Sequence, residues 1–402
     1  MIWITEKVQS AEQADKVEVA AVVRILTLFF LLNLVSISTS QELSDEEIQA
    51  NFNAYFDNSR VGIVYPSVSL TKNVGENTSV TGRYLVDVIS AASMKSHFEV
   101  DGVTSATSKD EGGGDNTPDE VRHEMGIGVT QILGSSTFSL NGLYSTEHDY
   151  TSKTLALSYA IPFAKKNSTI QVGLVRSWDK VFPQVRSWKR DKDVTTFSGS
   201  FSQILSKRLI AQFDVWYSKN KGMLSDSYQV VEILEGNSAK FLEPKHPNER
   251  SRKAFGIRTN YKLTDISSVQ IGYRYYWDDW KVKSNTINVF YQRYLSNEKI
   301  ILGLGVRSYF QSKAEFFSGN YTGNEEFLAV DSKLSSQFSL EYQVKMILDG
   351  AYFSENSFLY NEKIQYNAKF NFYHRKTDIA DWHSNYKNLY AYIISFGLRY
   401  KI

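Results

Sequence analysis

From Leu389 to Ile402 the chain alternates. Tyr390, Tyr392, Ile394, Phe396, Leu398, Tyr400 and Ile402 interleave with Ala391, Ile393, Ser395, Gly397, Arg399 and Lys401. Successive side chains of a strand point to opposite faces, so one face here is apolar and the other mostly small or charged. The same period of two recurs upstream. Phe255, Ile257, Tyr261 and Leu263 alternate with Gly256, Arg258, Asn260 and Lys262. Val269, Ile271, Tyr273, Tyr275 and Trp277 alternate with Gln270, Gly272, Arg274 and Tyr276. Similar runs cover 209–218 and 364–373. Each spans roughly 9–11 residues, the length a tilted strand needs to cross the hydrocarbon of a bilayer. A secreted β-sandwich or β-helix also alternates, but its polar face is usually the outside of the sheet. The pattern predicts an all-β fold, a transmembrane antiparallel β-barrel with an apolar exterior and a wet interior.

Strands are expected near 48–56, 61–72, 78–90, 119–132, 136–146, 153–163, 168–180, 194–206, 208–218, 252–264, 267–279, 284–295, 299–311, 332–346, 362–375 and 389–402. That makes about 16, within a range of about 14–18. The stretch 347–361 reads as an extra strand pair or a longer turn. Connection lengths sort by side. Short turns near 73–77, 134–135, 164–167, 207, 264–266 and 296–298 fall at one end, and long loops at 91–118, 181–193, 219–251, 312–331 and 376–388 at the other. Barrels of this class keep short turns in the periplasm and long loops outside the cell.

Composition agrees. The chain of 402 residues holds 25 Tyr and 24 Phe against 6 Pro, which favours strands. A net charge of +1 argues against nucleic acid as the main partner. The absence of Cys removes disulfides, thiolate chemistry and Cys-ligated metals. Residues 25–37 form an apolar run after Arg24, followed by Ser38-Thr39-Ser40. This is the pattern of a secretory signal and too short for a spanning helix. Residues 1–40 are therefore expected to be a signal peptide with an extended n-region, and 41–402 a single barrel domain. The leading 24 residues are long for an n-region, so the start of translation is expected further downstream.

Trp277, Trp280, Trp178, Trp188, Trp216 and Trp382 fall near strand ends on the outer side, where rings with a polar tip line the membrane interface. A carbohydrate platform is the alternative use. The polar rows place Arg176, Arg258, Lys262, Arg274, Arg307, Lys369 and Arg399 in the lumen, beside Asp214, because a charge facing lipid at mid-depth costs about 2–4 kcal/mol. The resulting expectation is a solvated lumen with ion pairs. A basic constriction for anions would need loop geometry. No pair of the six His has metal-ligand spacing, and Asp378, Asp381 and His383 make only a weak metal pattern. Neither a nucleophile elbow nor a phosphate loop occurs, and no enzymatic activity is expected.

Two copies of one short pattern stand fourteen residues apart: Asp87-Val88-Ile89-Ser90-Ala91-Ala92-Ser93 and Asp101-Gly102-Val103-Thr104-Ser105-Ala106-Thr107. Both resemble the motif Asp-x-x-Ser-Gly-Ala-Thr, at which periplasmic flavin transferases attach FMN through a phosphoester. The resemblance implies Thr107 and Ser93 as acceptors and Asp101 and Asp87 as leading acids. Ser105 and Ala91 stand where the motif has Gly. Small polar residues at a strand exit are the plainer reading. Attachment in the periplasm also conflicts with a loop outside the cell, unless modification precedes insertion.

Tyr55-Phe56-Asp57, Arg60-Val61-Gly62-Ile63 leading to Pro66, the 87–93 segment and Tyr275-Tyr276-Trp277-Asp278-Asp279-Trp280 together resemble a domain-of-unknown-function family of bacterial outer-membrane barrels, over about residues 50–402. Membership implies the barrel, and genes often lying near a flavin transferase. Residues 395–402 resemble the C-terminal signal read by the barrel-assembly machinery, with Ile402 in place of the preferred Phe. The expected function is an outer-membrane channel for small polar solutes. Alternatives are an extracytosolic redox-associated barrel carrying covalent FMN in 87–107, and a surface scaffold or adhesion barrel with a plugged lumen.

Overall fold

The computed structural model describes residues 43–58, 62–88, 121–183, 186–227, 229–235, 238–379 and 387–402. Its strands are β1 (Glu47–Asp57), β2 (Gly62–Val64), β3 (Ser67–Asn73), β4 (Thr78–Val88), β5 (Val121–Leu133), β6 (Ser136–Thr146), β7 (Tyr150–Phe163), β8 (Ser168–Val181), β9 (Arg190–Ser206) and β10 (Leu209–Gly222). They continue with β11 (Val231–Glu235), β12 (Ser238–Leu242), β13 (Glu249–Thr264), β14 (Ser267–Asp278), β15 (Lys283–Leu295), β16 (Ile300–Gln311), β17 (Ser336–Asp349), β18 (Ile364–Asp378) and β19 (Asn388–Lys401).

Neighbours in this series pair antiparallel around a single sheet, with β11–β12 standing apart as a hairpin. The sheet closes where β1 pairs β19, from Glu47 opposite Lys401 to Asp57 opposite Ala391. Closure removes the free edges that a bilayer cannot solvate. β2 and β3 lie in line along β1, interrupted at Tyr65-Pro66, and count as one wall strand. Pro66 lacks the N–H a continuous ladder would use. The wall therefore has sixteen strands. No helix among the described residues is long and apolar enough to cross a membrane.

The apolar rows face outward. Ile127, Leu304 and Phe396 stay 63%, 56% and 56% exposed. Such a shell would be an aggregation hazard in water and is what lipid requires. The complementary rows face the lumen, where two glycines do specific work. Gly303 and Gly305 on β16 leave room for the lumen-facing Phe290 ring of β15, since a Cβ on Gly303 would lie 2.3 Å from it.

Both described termini, the short turns and residues 350–363 share one end, and the long connections share the other. The 350–363 segment is a longer turn, not a strand pair. It folds against the outer wall, where Phe353 meets Tyr366 edge-on at 5.7 Å and the Tyr366 hydroxyl donates to Leu359 O at 3.0 Å.

Three sequence expectations change. Arg176 lies on the outward row of β8, opposite Leu155 of β7, so it is not a lumen charge. Its own alternation with Ile170, Val172 and Leu174 already implied this. Trp216 falls on the lumen row of β10, opposite Ala254, and is not part of a girdle. Trp280 is buried in a packed cluster beyond the end of β14. Trp178 and Trp277 lie on outward rows, at the end that holds the long loops. Trp382 and the signal segment lie outside the described residues.

Candidate functional site: the lumen and its outer mouth

The lumen rows are mostly polar, broken by residues such as Phe290 and Trp216, and their carboxylates carry bases beside them. At the end that holds the short turns Arg399 binds Glu47 and stands 4.0 Å from Asp45, which Lys401 meets at 2.8 Å. On the neighbouring wall Glu124 takes Arg83 and, at 3.4 Å, Arg122. Asp179 accepts from Ser152 at 2.7 Å and faces Lys192 at 3.8 Å. Glu341 pairs Arg307 at 3.7 Å and accepts from Asn371. Water, or polar neighbours, must line such a wall, since isolated charges there would be prohibitive.

The stretch formed by β10, β13 and β14 differs. Its lumen rows bring Arg250, Arg252, Arg258 and Arg274 together against Asp214 and Asp278. Arg252 lies 5.4 Å from the Trp216 ring and Arg274 5.8 Å from it, on cation–π contacts. Asp278 is the hub. It accepts from Arg250 Nε at 2.9 Å, from the Tyr276 hydroxyl at 2.6 Å and from Val282 N at 2.9 Å. Both Arg250 and Asp278 are buried.

Above this stretch the loops 223–248 and 312–335 fold into one small unit. Val231 and Ile233 of the β11–β12 hairpin pack with Tyr321, Leu328 and Val330 of the second loop. A bridge between Lys245 and Leu328 ties the loops together. A second cluster joins Ala314, Phe317, Ala329 and Leu334 to the lumen-facing Ala254 and Tyr276 of the wall, with Trp280 and Val282. The loops thus lean inward over the basic stretch, as a roof on that side of the mouth. Arg250 sits 4.3 Å over the Trp280 ring and couples the roof to the wall.

His246 lies inside this contact, between Trp280 and Phe316, with ring centroids 5.6 Å from each. Its Nδ1 faces Leu224 O at 3.0 Å. A carbonyl only accepts, so the proton is on Nδ1. Nε2 is then an unprotonated nitrogen, buried and without a hydrogen-bond partner among the described residues. Burial holds the imidazole below its ordinary pKa of 6.5, against the raising effects of the Leu224 carbonyl and Asp331 and with Arg250 lowering it further. A depressed histidine favours the folded form only while neutral. Roof stability should therefore be full above about pH 6.5 and fall as pH drops below it. Hydrogen exchange over 312–335 at pH 7.5 and 5 checks this. Lower protection at pH 5, after the intrinsic exchange rate at each pH is divided out, is expected, and His246→Gln should flatten the difference.

Among the lumen charges expected from sequence, Arg258, Arg274, Lys369 and Arg399 all lie on lumen rows. Lys262 shares that parity but pairs with Asp265, 2.7 Å away, at the end that holds the short turns. The structure adds Arg250, Arg252 and Asp278, which the alternation of 249–264 and 267–278 could have marked. It also adds the roof, whose contacts have no period. Of the residues expected for FMN, Ser93, Asp101 and Thr107 lie outside the described residues. Asp87 is on β4, paired in register with Arg122.

The profile of a family described as "protein of unknown function (DUF3570)" matches residues 29–380. The chain belongs to the DUF3570 family. No curated protein matches it. Solved structures with a similar fold include the loop L8 deletion mutant of OmpT, an outer membrane protein of Vibrio cholerae, at 10% identity over 89% of this chain and 98% of that one, TM-score 0.43. A bacterial polysaccharide outer membrane secretin is 8% identical over 89% of this chain and 98% of its own, TM-score 0.49. The siderophore receptor PirA from Pseudomonas aeruginosa is 9% identical over 85% of this chain and 58% of that one, TM-score 0.41. The DUF3570 chain thus has an outer-membrane β-barrel fold, established by its own closed sixteen-strand sheet.

Proposed function

We propose that this DUF3570 protein is a channel of the bacterial outer membrane for small polar solutes, with an outer mouth narrowed by the folded loops. The carrying observation is the mostly polar and charged lining of a sixteen-strand wall, a width at which barrels enclose water. The arginines of β13 and β14 favour anions at the mouth. The roof makes conduction conditional: it leans on Ala254 and Tyr276, inside the wall.

Planar-bilayer recording tests this. Purified protein should give single-channel steps, and excision of 231–242 should enlarge them. In a salt gradient the reversal potential should show anion preference, reduced by replacing Arg258 and Arg274 with Gln. Absence of steps from both wild type and the excision variant would refute the channel and leave the plugged scaffold.

A further inference from the structure

The outward rows carry a second pattern, at the end that holds the long loops. Lys253 of β13 stands opposite Tyr217 of β10 on one side and Trp277 of β14 on the other. Trp277 in turn stands opposite Lys283 of β15. One Trp is therefore flanked in register by two outward ammonium groups, with Tyr275 stacked on it at 5.5 Å. Adjacent strands lie about 4.8 Å apart, so the two lysine backbones are about 10 Å from each other. Neither lysine has a carboxylate partner among the described residues, and both are exposed. Along the wall Lys153 of β7 likewise stands opposite Trp178 of β8 and Tyr144 of β6, but the other neighbour of Trp178 is Asp193 of β9.

Strand lysines this close to lipid need an anion or water. Around mid-depth they would cost about 2–4 kcal/mol each, but beside an interfacial Trp they stand at headgroup level, where the cost is small. At the opposite end the outward strand lysine Lys72 is already paired with Glu46, the outward Arg293 of β15 stands between Ser267 and Leu302 and not between rings, and Lys165, Lys166, Lys207 and Arg208 sit in the turns. The two leaflets thus meet different surfaces. The end with unpaired lysines between aromatic rings fits a lipid with closely spaced phosphates on a sugar body: rings stack on the sugar faces and ammonium groups take the phosphates.

We propose that the Lys253–Trp277–Lys283 row binds the phosphorylated glycolipid of the outer leaflet. This rests on the outer-membrane placement proposed above, not on conduction. Native mass spectrometry of the folded barrel, with diphosphorylated lipid A, dephosphorylated lipid A and phosphatidylglycerol as probes, tests it. Heat-modifiable migration confirms that each variant is folded. Wild type should hold diphosphorylated lipid A best, and the double variant Lys253→Gln, Lys283→Gln should hold it roughly 30-fold less, about five- to sixfold per lysine at a charged lipid surface. Lys72→Gln should leave binding unchanged. Equal retention of the three lipids, or a double variant that binds as wild type does, would overturn the proposal. Lipid retention is read apart from current: loss of conduction leaves this binding intact, and loss of binding leaves conduction intact.

Discussion

Asp278→Asn should open the roof more than about a hundredfold as often as in the wild type. The physical reason is Arg250, whose guanidinium is buried against Asp278 and over Trp280. Removing one member of a buried ion pair costs about 3–5 kcal/mol, because the other charge stays behind uncompensated. Asparagine keeps one acceptor: its carbonyl oxygen can take Val282 N, while the amide nitrogen in place of the other oxygen faces Arg250 and the Tyr276 hydroxyl as a donor, so the charge and one acceptor are lost together. Both residues stand at the ends of β13 and β14 on the side of the long loops, beside the Trp280 cluster that carries the roof, so the energy should fall there more than on the rest of the sixteen-strand ladder. The barrel should migrate as folded while the loop 312–335 becomes sensitive to protease. Cleavage of a transiently opened segment follows its open population, so the rate reads the free energy directly. A paired variant separates charge from shape. Arg250→Met with Asp278→Leu removes both charges from the dry contact and should restore protection to within about tenfold of the wild type, as exchange of a buried pair for apolar groups is often neutral. Equal protease sensitivity of the single and double variants would show that Asp278 acts through something other than Arg250.

The wall was legible in the sequence because lipid and water impose a period of two on every crossing segment. All sixteen expected strands coincide with wall strands, and the wall extends several of them at the outer end, as in β9 and β13. There the chain has left the lipid, and alternation no longer reports the outward face. Arg176 shows the same limit in one residue. It follows Ile170, Val172 and Leu174 on the outward row, yet its charge suggests the lumen. The structure gives it Asp193 at 3.4 Å and the Trp178 ring at 5.6 Å, partners on the outward face near the interface. Local charge was the weaker guide and register the stronger.

The roof was not legible, because loops carry no period. Val231, Ile233 and Leu328 are apolar residues in stretches that read as long polar connections, and their packing depends on two loops meeting far apart in sequence. Trp280 and Trp216 misled for a related reason. Tryptophan near a strand end suits the membrane interface, but it equally suits a cation. Arg250 lies over Trp280, and Arg252 and Arg274 lie near Trp216. Strand parity separates Trp216, on the lumen row of β10, from the outward Trp178 and Trp277, and it does not reach Trp280, which lies beyond the end of β14.

The two-faced wall itself can be put to the test at adjoining positions. Val289 points outward and is 42% exposed, whereas Asn288, next to it, lies on the lumen row with Gly272. Val289→Arg should weaken folding into phospholipid vesicles by about 2–4 kcal/mol, because the guanidinium must reside in hydrocarbon near mid-depth. Asn288→Arg should change it by less than about 1 kcal/mol, since water and the polar rows of β14 and β16 surround that side. Urea titration of vesicle-folded protein measures both. The comparison isolates direction from everything else: the two substitutions share a strand, a depth and a side chain. If they cost the same, neither face is lipid and the closed sheet sits in water. The apolar rows of Ile127, Leu304 and Phe396 would then require a protein partner in place of a bilayer.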